Sequence, residues 1–326
     1  MISVGSAIPA AAADGVYVAL GDSYSAGVGT DDEQNNCYRS QYGYPALIAD
    51  QQGLTLDHQA CNGATVADVT ANQLSALDAD TAWVSMTIGG NDAGFADVLV
   101  ECALPGWASD CDGAIDDGLD VIANELPDRY DTLFTRIAGA APEARVAVGG
   151  YPLIFNGEDC NLATFFSPEE EDRLNAATRT LNELIAEQTA GHDFRYVDAE
   201  PSFDDHAVCD DEEWINGLSD PVVDSYHPNR SGHAAYASIF SSALTGTPYA
   251  TAPERRAAAT RPVSVRDQAD AVLAMQLDSS DRLAAAERNG IAAERIVRLT
   301  DRLRSPDPET VRSALRSLQG LDRRAA

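Results

Sequence analysis

The chain has 326 residues and a net charge of −30, because 52 acidic residues outnumber 22 basic ones, and every basic residue is an arginine. This length is enough to bury the core of one large domain with an appendage. So acidic a surface repels phosphate backbones, which excludes nucleic acid as an expected partner. No apolar run reaches the length of about 18 residues that a membrane span needs, so no transmembrane segment is expected.

The first predicted element is a strand that ends in a reactive side chain. Residues 16–20 form an apolar run with β-branched and aromatic members, and the run stops abruptly at Gly21-Asp22-Ser23. This pattern predicts a buried strand that delivers a hydroxyl to the carboxyl edge of a sheet. Ser23 is therefore the candidate nucleophile.

The following elements alternate between helices and strands. Helices are predicted over residues 42–52 and 65–77, the second capped by Thr65, and strands over residues 54–59 and 82–88. Each of these strands leads into a short block that contains glycine and asparagine. An open α/β sheet places its ligands outside the carboxyl ends of its strands, so we expect these blocks to meet near Ser23.

Later elements continue the alternation. Their predicted extents are a partly helical segment at 115–137 interrupted by Pro127, a strand at 145–149, a helix that begins with Ser167-Pro168 and three glutamates, a strand at 194–198, and a helix at 232–244. Five strands alternating with helices favour a parallel sheet covered on both faces.

The composition changes after Gly246-Thr247-Pro248. Residues 254–326 hold 14 arginines and 11 acidic residues, whereas residues 1–253 hold 8 and 41. Apolar residues there recur at roughly helical intervals, and no strand-like run or cysteine is present. We expect residues 248–326 to form a helical extension of two or three helices, either packed on the main domain or separately mobile. Its role is left open.

A nucleophilic serine needs a base and hydrogen-bond donors for the developing oxyanion. Three downstream blocks offer them: Asn62-Gly63-Ala64-Thr65, Gly89-Gly90-Asn91-Asp92 and Asp224-Ser225-Tyr226-His227-Pro228. Gly63 exposes its N–H to a ligand, Asn91 adds a side-chain amide, and Asp224 and His227 supply an acid and an imidazole on one loop. Taken alone, the last two blocks would be interpreted as ordinary turns.

In this order, the four blocks resemble those of the SGNH hydrolases, also called the GDSL lipase and esterase family, over residues 16–244. The resemblance implies that Ser23 attacks an acyl ester, His227 transfers the proton, Asp224 orients His227, and Ser23, Gly63 and Asn91 donate to the oxyanion. In some secreted actinobacterial members a backbone carbonyl replaces the acid. Because Asp224 stands at the family's acid position, we predict a full triad.

The resemblance also implies the architecture and the chemistry. Residues 15–247 are expected to form a flavodoxin-like three-layer α/β/α sandwich that hydrolyses carboxylic esters. A lipase or esterase acting on acyl glycerides is the first choice, and a phospholipase or a carbohydrate deacetylase is the second. An acyltransferase and a non-catalytic binding protein on a hydrolase fold are the remaining alternatives.

The expected partner is a small-molecule or lipid ester, and the chain is expected to be a monomer. No cofactor and no metal are expected, since acidic pairs such as Asp31-Asp32 and Asp204-Asp205 lack the spacing and the glycine of a calcium loop. Weak binding of an extracellular cation is the less favoured alternative.

Cysteines and the N-terminus indicate the compartment. All six cysteines lie between Cys37 and Cys209, and their number alone leaves the pairing open. The family resemblance implies the pairs Cys37–Cys61, Cys102–Cys111 and Cys160–Cys209, hence an oxidising compartment and secretion. Residues 1–14 end in small residues like a signal peptide but lack a positive start, so we interpret them as a signal-peptide remnant, with a frayed terminus as the alternative.

Overall fold

A computed structural model describes residues 15–250 and 263–325. Its centre is a five-stranded parallel sheet of order β4-β1-β5-β6-β7. The strands are β1 (Val16–Ala19), β4 (Thr55–His58), β5 (Thr81–Thr87), β6 (Arg145–Gly149) and β7 (Arg195–Val197); the short β2 (Glu33–Gln34) and β3 (Arg39–Ser40) form a separate antiparallel pair. The predicted sheet of about five parallel strands is confirmed.

The central strands are apolar because helices cover both faces of the sheet. Up to the end of the sheet domain the helices are α1 (Ser23–Ala26), α2 (Tyr44–Gln52), α3 (Val66–Asp68), α4 (Phe95–Cys102), α5 (Cys111–Asn124), α6 (Leu126–Ala140), α7 (Pro168–Gly191) and α8 (Arg230–Thr245). Helices α2 and α8 pack against each other on one face, and α5, α6 and α7 pack together on the other. This arrangement is the expected three-layer sandwich.

Two predicted helical segments differ in detail from the sequence expectation, and a third begins as predicted. The segment predicted at 115–137 is two helices, α5 and α6, because Pro127 fits only the first turn of a new helix. The helix predicted at 65–77 consists of α3, a π-helical turn Val69–Gln73 and a 3₁₀ turn Leu74–Ala76. Helix α7 begins as predicted, with a capping box between Ser167 and Glu170.

Four helices, where two or three were expected, follow in the part of the C-terminal extension that the structure describes. They are α9 (Val265–Ala274), α10 (Ser280–Arg288), α11 (Ala293–Leu303) and α12 (Pro308–Ala325). The extra helix arises because the chain turns at Gln276, which has a positive φ of 52°, so the apolar pattern there belongs to two short helices. Their apolar faces share a core with Trp107, Ala163 and Phe165 of the sheet domain.

Three disulfides join Cys37 to Cys61, Cys102 to Cys111 and Cys160 to Cys209, the pairs that the resemblance implied. No helix among residues 15–250 and 263–325 combines the length and the apolarity needed to cross a membrane. The predicted signal-peptide remnant, residues 1–14, lies outside the described residues.

Candidate active site

Ser23 is held at the carboxyl edge of the sheet by a tight turn. Gly21 has a φ of +113°, and a Cβ there would lie 2.2 Å from the Thr87 carbonyl oxygen at the end of β5, so only glycine fits. Asp22 then caps α1 by accepting a hydrogen bond from the Tyr24 N–H (3.1 Å). The turn leaves Ser23 at the first position of α1, 7% exposed.

His227 meets this serine from the other end of the chain. Its Nε2 lies 2.8 Å from the Ser23 Oγ, and its Nδ1 lies 2.9 Å from the Ser225 carbonyl oxygen. Because a carbonyl can only accept, the Nδ1 carries the proton and the Nε2 is left as an acceptor. Burial lowers the pKa of His227 to about 4, so the ring is neutral near pH 7 and can accept the proton of the serine.

The loop that carries His227 is fixed by backbone hydrogen bonds. The Tyr226 N–H donates to the Asn216 carbonyl (2.8 Å) and the Asn216 N–H donates to the His227 carbonyl (2.9 Å). From the nucleophile side, the Tyr24 hydroxyl donates to the Tyr226 carbonyl (2.8 Å), and the rings of Tyr24 and His227 are 5.3 Å apart. These contacts hold the Ser23 turn and the His227 loop in a fixed relative position.

The structure does not show the predicted contact between Asp224 and His227, because the His227 Nδ1 lies against the Ser225 carbonyl oxygen. Asp224 ends a 3₁₀ turn, Val222–Asp224, and is 5% exposed. Its Oδ1 has no hydrogen-bond partner among the described residues. Burial and the nearby Glu33 and Asp31 raise the pKa of Asp224 to about 7. The physical reason is local: Tyr226 takes a positive φ of 59°, which turns the chain between residue 224 and the imidazole, so the Ser225 carbonyl occupies the place of the acid.

The structure brings the predicted oxyanion donors to the same edge. The Cys61 N–H donates to the Gly21 carbonyl (3.0 Å), which sets the Gly63 turn beside the nucleophile turn. Asn91 donates from its Nδ2 to the Ala64 carbonyl (3.0 Å), which leaves its second amide proton for a ligand. The N–H groups of Ser23 and Gly63 have no acceptor within the described part of the chain, and the space beside Gly63 is open.

Sequence reasoning missed a buried network behind the nucleophile. The Asp22 carboxylate accepts hydrogen bonds from the Thr87 hydroxyl (2.7 Å) and the Tyr151 hydroxyl (2.5 Å). Tyr151 in turn accepts from the Gly90 N–H (3.2 Å), next to Asn91. Burial nevertheless raises the pKa of Asp22 to about 6. The signal was available, since Tyr151 follows the strand β6 as the other site residues follow theirs.

Two further contacts were also missed. Within the π-helical turn, the Gln73 side chain accepts from the Gly21 N–H (2.7 Å) and donates to the Gly21 carbonyl (3.0 Å). Asp92 accepts from the Val66 N–H (2.8 Å) and pairs with Arg129 (2.9 Å), which fixes the start of α3 beside the Asn91 loop. Neither contact leaves a local pattern in the sequence, because each joins distant segments.

Three of the other histidines make structural contacts away from Ser23. Buried His233 places its Nε2 3.1 Å from the Val28 carbonyl, and His58 places its Nε2 2.9 Å from the Ser25 carbonyl. His206 stacks on Trp214 with ring centroids 3.6 Å apart. The described residues therefore offer His227 as the imidazole that reaches Ser23.

Comparison with known proteins gives a consistent set of relatives. The sequence model of the GDSL-like lipase/acylhydrolase family matches residues 19–235. A lipase of Streptomyces rimosus is 39% identical over 233 residues, which cover 70% of this chain and 86% of that protein. Lipase 1 of Streptomyces coelicolor is 37% identical over 230 residues, which cover 69% and 84%.

Two crystal structures share the fold. Phospholipase A1 from Streptomyces albidoflavus superposes with a TM-score of 0.67 at 35% identity, and the extracellular lipase from Streptomyces rimosus with 0.67 at 38%. Each match covers 70% of this chain and 99% of the other. Helices α9 to α12 lie beyond the residues that the family model matches.

Proposed function

The chain belongs to the GDSL-like lipase/acylhydrolase family and is a carboxylic ester hydrolase, and we propose that it is a secreted lipase or esterase that forms an acyl-enzyme on Ser23. The observation that supports this mechanism is the 2.8 Å contact between the Ser23 Oγ and the neutral Nε2 of His227. A serine hydroxyl becomes a competent nucleophile only when such a base accepts its proton.

The acylation step uses the groups at the carboxyl edge. As the Ser23 Oγ bonds to the ester carbon, its proton passes to the His227 Nε2, and the carbonyl oxygen becomes an oxyanion. The N–H groups of Ser23 and Gly63 and the Asn91 amide donate to that oxygen. When the tetrahedral intermediate collapses, the ester C–O bond breaks, and the proton on Nε2 passes to the leaving alcohol.

Deacylation repeats the sequence with water. His227 takes a proton from the attacking water, the oxyanion forms again in the same donors, and collapse releases the carboxylic acid and returns the proton to Ser23. The Ser225 carbonyl accepts a hydrogen bond from the Nδ1–H throughout, and that proton stays on Nδ1. We therefore propose a Ser23–His227 dyad oriented by a backbone carbonyl in place of the triad that the sequence favoured.

The direct test is hydrolysis of p-nitrophenyl esters across acyl lengths, with Ser23→Ala as the control. We expect turnover by the wild type and its loss in the variant, together with labelling of Ser23 by a serine-directed phosphonate. Labelling at another residue, or turnover that survives Ser23→Ala, would exclude the proposed nucleophile.

Secretion is supported by the three disulfides and by similarity to a protein described as an extracellular lipase. If this is correct, protein recovered from its native producer contains no free thiol until it is reduced, and activity is found in the culture medium. Activity confined to the cell lysate would contradict it.

A phospholipase is the second candidate, because the similar structure from Streptomyces albidoflavus is a phospholipase A1 at 35% identity. Parallel assays on triglyceride emulsions and on phosphatidylcholine vesicles decide between the two. A higher kcat/KM on vesicles, with release of the sn-1 fatty acid, would favour the phospholipase.

A further inference from the structure

The C-terminal extension concentrates positive charge on an otherwise acidic protein. Residues 254–326 hold 14 of the 22 arginines and 11 acidic residues, whereas residues 1–253 hold 8 arginines and 41 acidic residues. Among the described side chains, four arginines of the extension form no hydrogen bond and no ion pair: Arg288, Arg295, Arg298 and Arg316. Part of the positive charge of the extension is therefore not used within the described fold.

Two of these arginines line one groove between α11 and α12, which we call the arginine groove. Its volume is about 350 Å³, within the range of sites that bind small molecules. Its polar lining comes from both helices and consists of Arg295 of α11 and of Glu309, Arg312, Ser313, Arg316 and Ser317 of α12. The members from α12 recur at intervals of three and four residues, so they share one face of that helix.

The acidic member of the lining does not neutralise the groove. Glu309 pairs with Arg312, but its side chain is 79% exposed, and the other two arginines of the lining have no partner among the described residues. A further arginine of α11, Arg302, donates to the Ser313 hydroxyl (3.1 Å) and adds its charge at the edge of the groove. Positive charges that lie close together repel one another, so an anion between them is favoured.

We propose that the arginine groove binds the phosphate group of a phosphate ester. A guanidinium presents paired N–H donors that match two phosphate oxygens, and Ser313, which accepts from Arg302, keeps its own hydroxyl proton to donate to a third. A long polyanion is disfavoured, because residues 1–253 are strongly acidic and repel it. The expected ligand carries its charge in one compact group, as a soluble phosphate ester or a phospholipid headgroup does.

The helix that forms most of the groove also holds the extension on the sheet domain. On α12, the Gln319 side chain donates to the Asn161 carbonyl (2.6 Å), and the Asp322 carboxylate accepts from the Gly106 N–H (2.7 Å). These partners lie in the loops that follow β6 and α4. A phosphate held by arginines of both α11 and α12 therefore stabilises the folded extension by mass action, since the unfolded chain does not bring these arginines together.

The test is calorimetric titration of the full chain with inorganic phosphate and with glycerol phosphate. It uses Ser23→Ala protein as the parent, so that the result does not depend on the proposed catalysis. Arg295→Gln and Arg316→Gln should each weaken binding about tenfold or more, because each removes charge-assisted hydrogen bonds. Arg316→Lys should also weaken it, since lysine keeps the charge and loses the planar fork. The matched control Arg288→Gln removes an exposed arginine of α10 outside the groove and should leave the affinity unchanged.

Vesicles distinguish the two sources of the phosphate group. Co-sedimentation with vesicles of phosphatidylcholine and phosphatidic acid in equal amounts, lost in Arg295→Gln, assigns the groove to lipid headgroups, whereas binding of the soluble probes alone assigns it to a soluble ester. The proposal is overturned if none of these probes binds, or if Arg295→Gln and Arg316→Gln bind like the parent. It is also overturned if Arg288→Gln weakens binding equally, since the attraction would then be non-specific.

Discussion

The two loops that form the dyad each carry a buried aspartate, and the surroundings of these aspartates are opposite. Asp22, on the nucleophile loop, accepts hydrogen bonds from the Tyr24 N–H, the Thr87 hydroxyl and the Tyr151 hydroxyl. A buried carboxylate with several donors is rigidly held and holds its donors in turn. Asp22 therefore fixes the position of the serine that follows it.

The carboxylate of Asp224, on the histidine loop, accepts fewer hydrogen bonds and lies near other negative charges. Its Oδ1 is unpaired among the described residues, and Asp31 and Glu33 lie near enough to raise its pKa further above its usual value. It does not reach the imidazole, whose Nδ1 donates to a backbone carbonyl. Asp224 has the expected spacing from His227, but the acid whose hydrogen bonds organise the site is Asp22.

Among the predicted variants, Asn91→Ala is expected to lower activity the most. Its loss of kcat is the reference against which variants near Asp22 and Asp224 are judged. Loss of one oxyanion donor should lower kcat by about 10²–10³ with little change in KM. The variant also loses a hydrogen bond to the Ala64 carbonyl, so Tm should fall only slightly. A raised KM with unchanged kcat would show that Asn91 binds substrate and does not stabilise the transition state.

Tyr151→Phe should have the next largest effect, because it removes a donor from Asp22 and an acceptor from the Gly90 N–H. We expect a loss of about 1–3 kcal/mol of stability from the unpaired buried groups. We also expect kcat to fall about tenfold, since both the nucleophile turn and the Asn91 loop lose support. Steady-state kinetics and denaturant unfolding of the same sample measure the two effects.

Tyr130→Phe is the matched control for that prediction. Its hydroxyl is equally buried and donates to the Ile88 carbonyl (2.7 Å), but it does not touch Asp22. This variant should lose stability and keep its kcat. If both tyrosine variants lower kcat alike, then Tyr151 acts only through general stability and the positioning role of Asp22 fails.

Much of this candidate site could be predicted from the sequence because strands β1, β4 and β5 each lead into a candidate site residue. Ser23, Gly63 and Asn91 were found in that way, and His227 by its position in the family pattern. The position of the Asp224 carboxylate could not be predicted, because spacing along the chain does not reveal the positive φ of Tyr226. Contacts that join distant segments, such as Tyr151 to Asp22 or Gln73 to Gly21, leave no local pattern.

The fold was predictable for a similar reason. The prediction of individual helices failed where the spacing of apolar residues is ambiguous. Alternating strands and helices with clear caps specify a covered parallel sheet. The segment after Thr65 was predicted as one helix, yet its π-helical turn is set by the contact between Gln73 and Gly21. In the extension, the short helices α9 and α10 are too brief to separate by apolar spacing alone.

The third prediction, of intermediate size, concerns how kcat/KM depends on pH. Because burial lowers the pKa of His227 to about 4, kcat/KM should stay level down to about pH 5 and fall about tenfold per pH unit below 4. An imidazole with an ordinary pKa would lose activity near pH 6.5. A limb centred there would mean that the ring is more exposed, or better paired in its charged form, than the structure indicates.

Acid unfolding must be separated from this limb. Burial also lowers the pKa of His58 and His233 to about 4, so the folded state binds fewer protons than the unfolded state between about pH 4 and 6.5. The stability from these histidines is present above pH 6.5 and is lost as the pH falls toward 4. Circular dichroism at each pH shows whether the enzyme is folded where its activity declines.

The smallest effect on activity is expected for Asp224→Asn. This variant tests most directly whether Asp22 and Asp224 have different roles. Since the carboxylate takes no part in orienting His227, kcat should stay within about threefold of wild type and the acid limb should not move. A triad acid would behave differently, because its loss removes the charge that stabilises the imidazolium and costs about 10⁴ in kcat. A loss of that size would restore Asp224 to catalysis and imply that the loop rearranges when substrate binds.

The same variant should change stability where it does not change activity. The folded-state pKa of Asp224 is raised to about 7, so the folded protein binds the extra proton between about pH 4 and 7 and loses stability as the pH rises through that window. Asparagine carries no charge to repel Asp31 and Glu33, so Asp224→Asn should be more stable than wild type at pH 8 and similar to it at pH 4. Urea unfolding at both pH values measures this difference. If the variant is instead less stable at pH 8, then the carboxylate is paired in solution, and its contrast with Asp22 disappears.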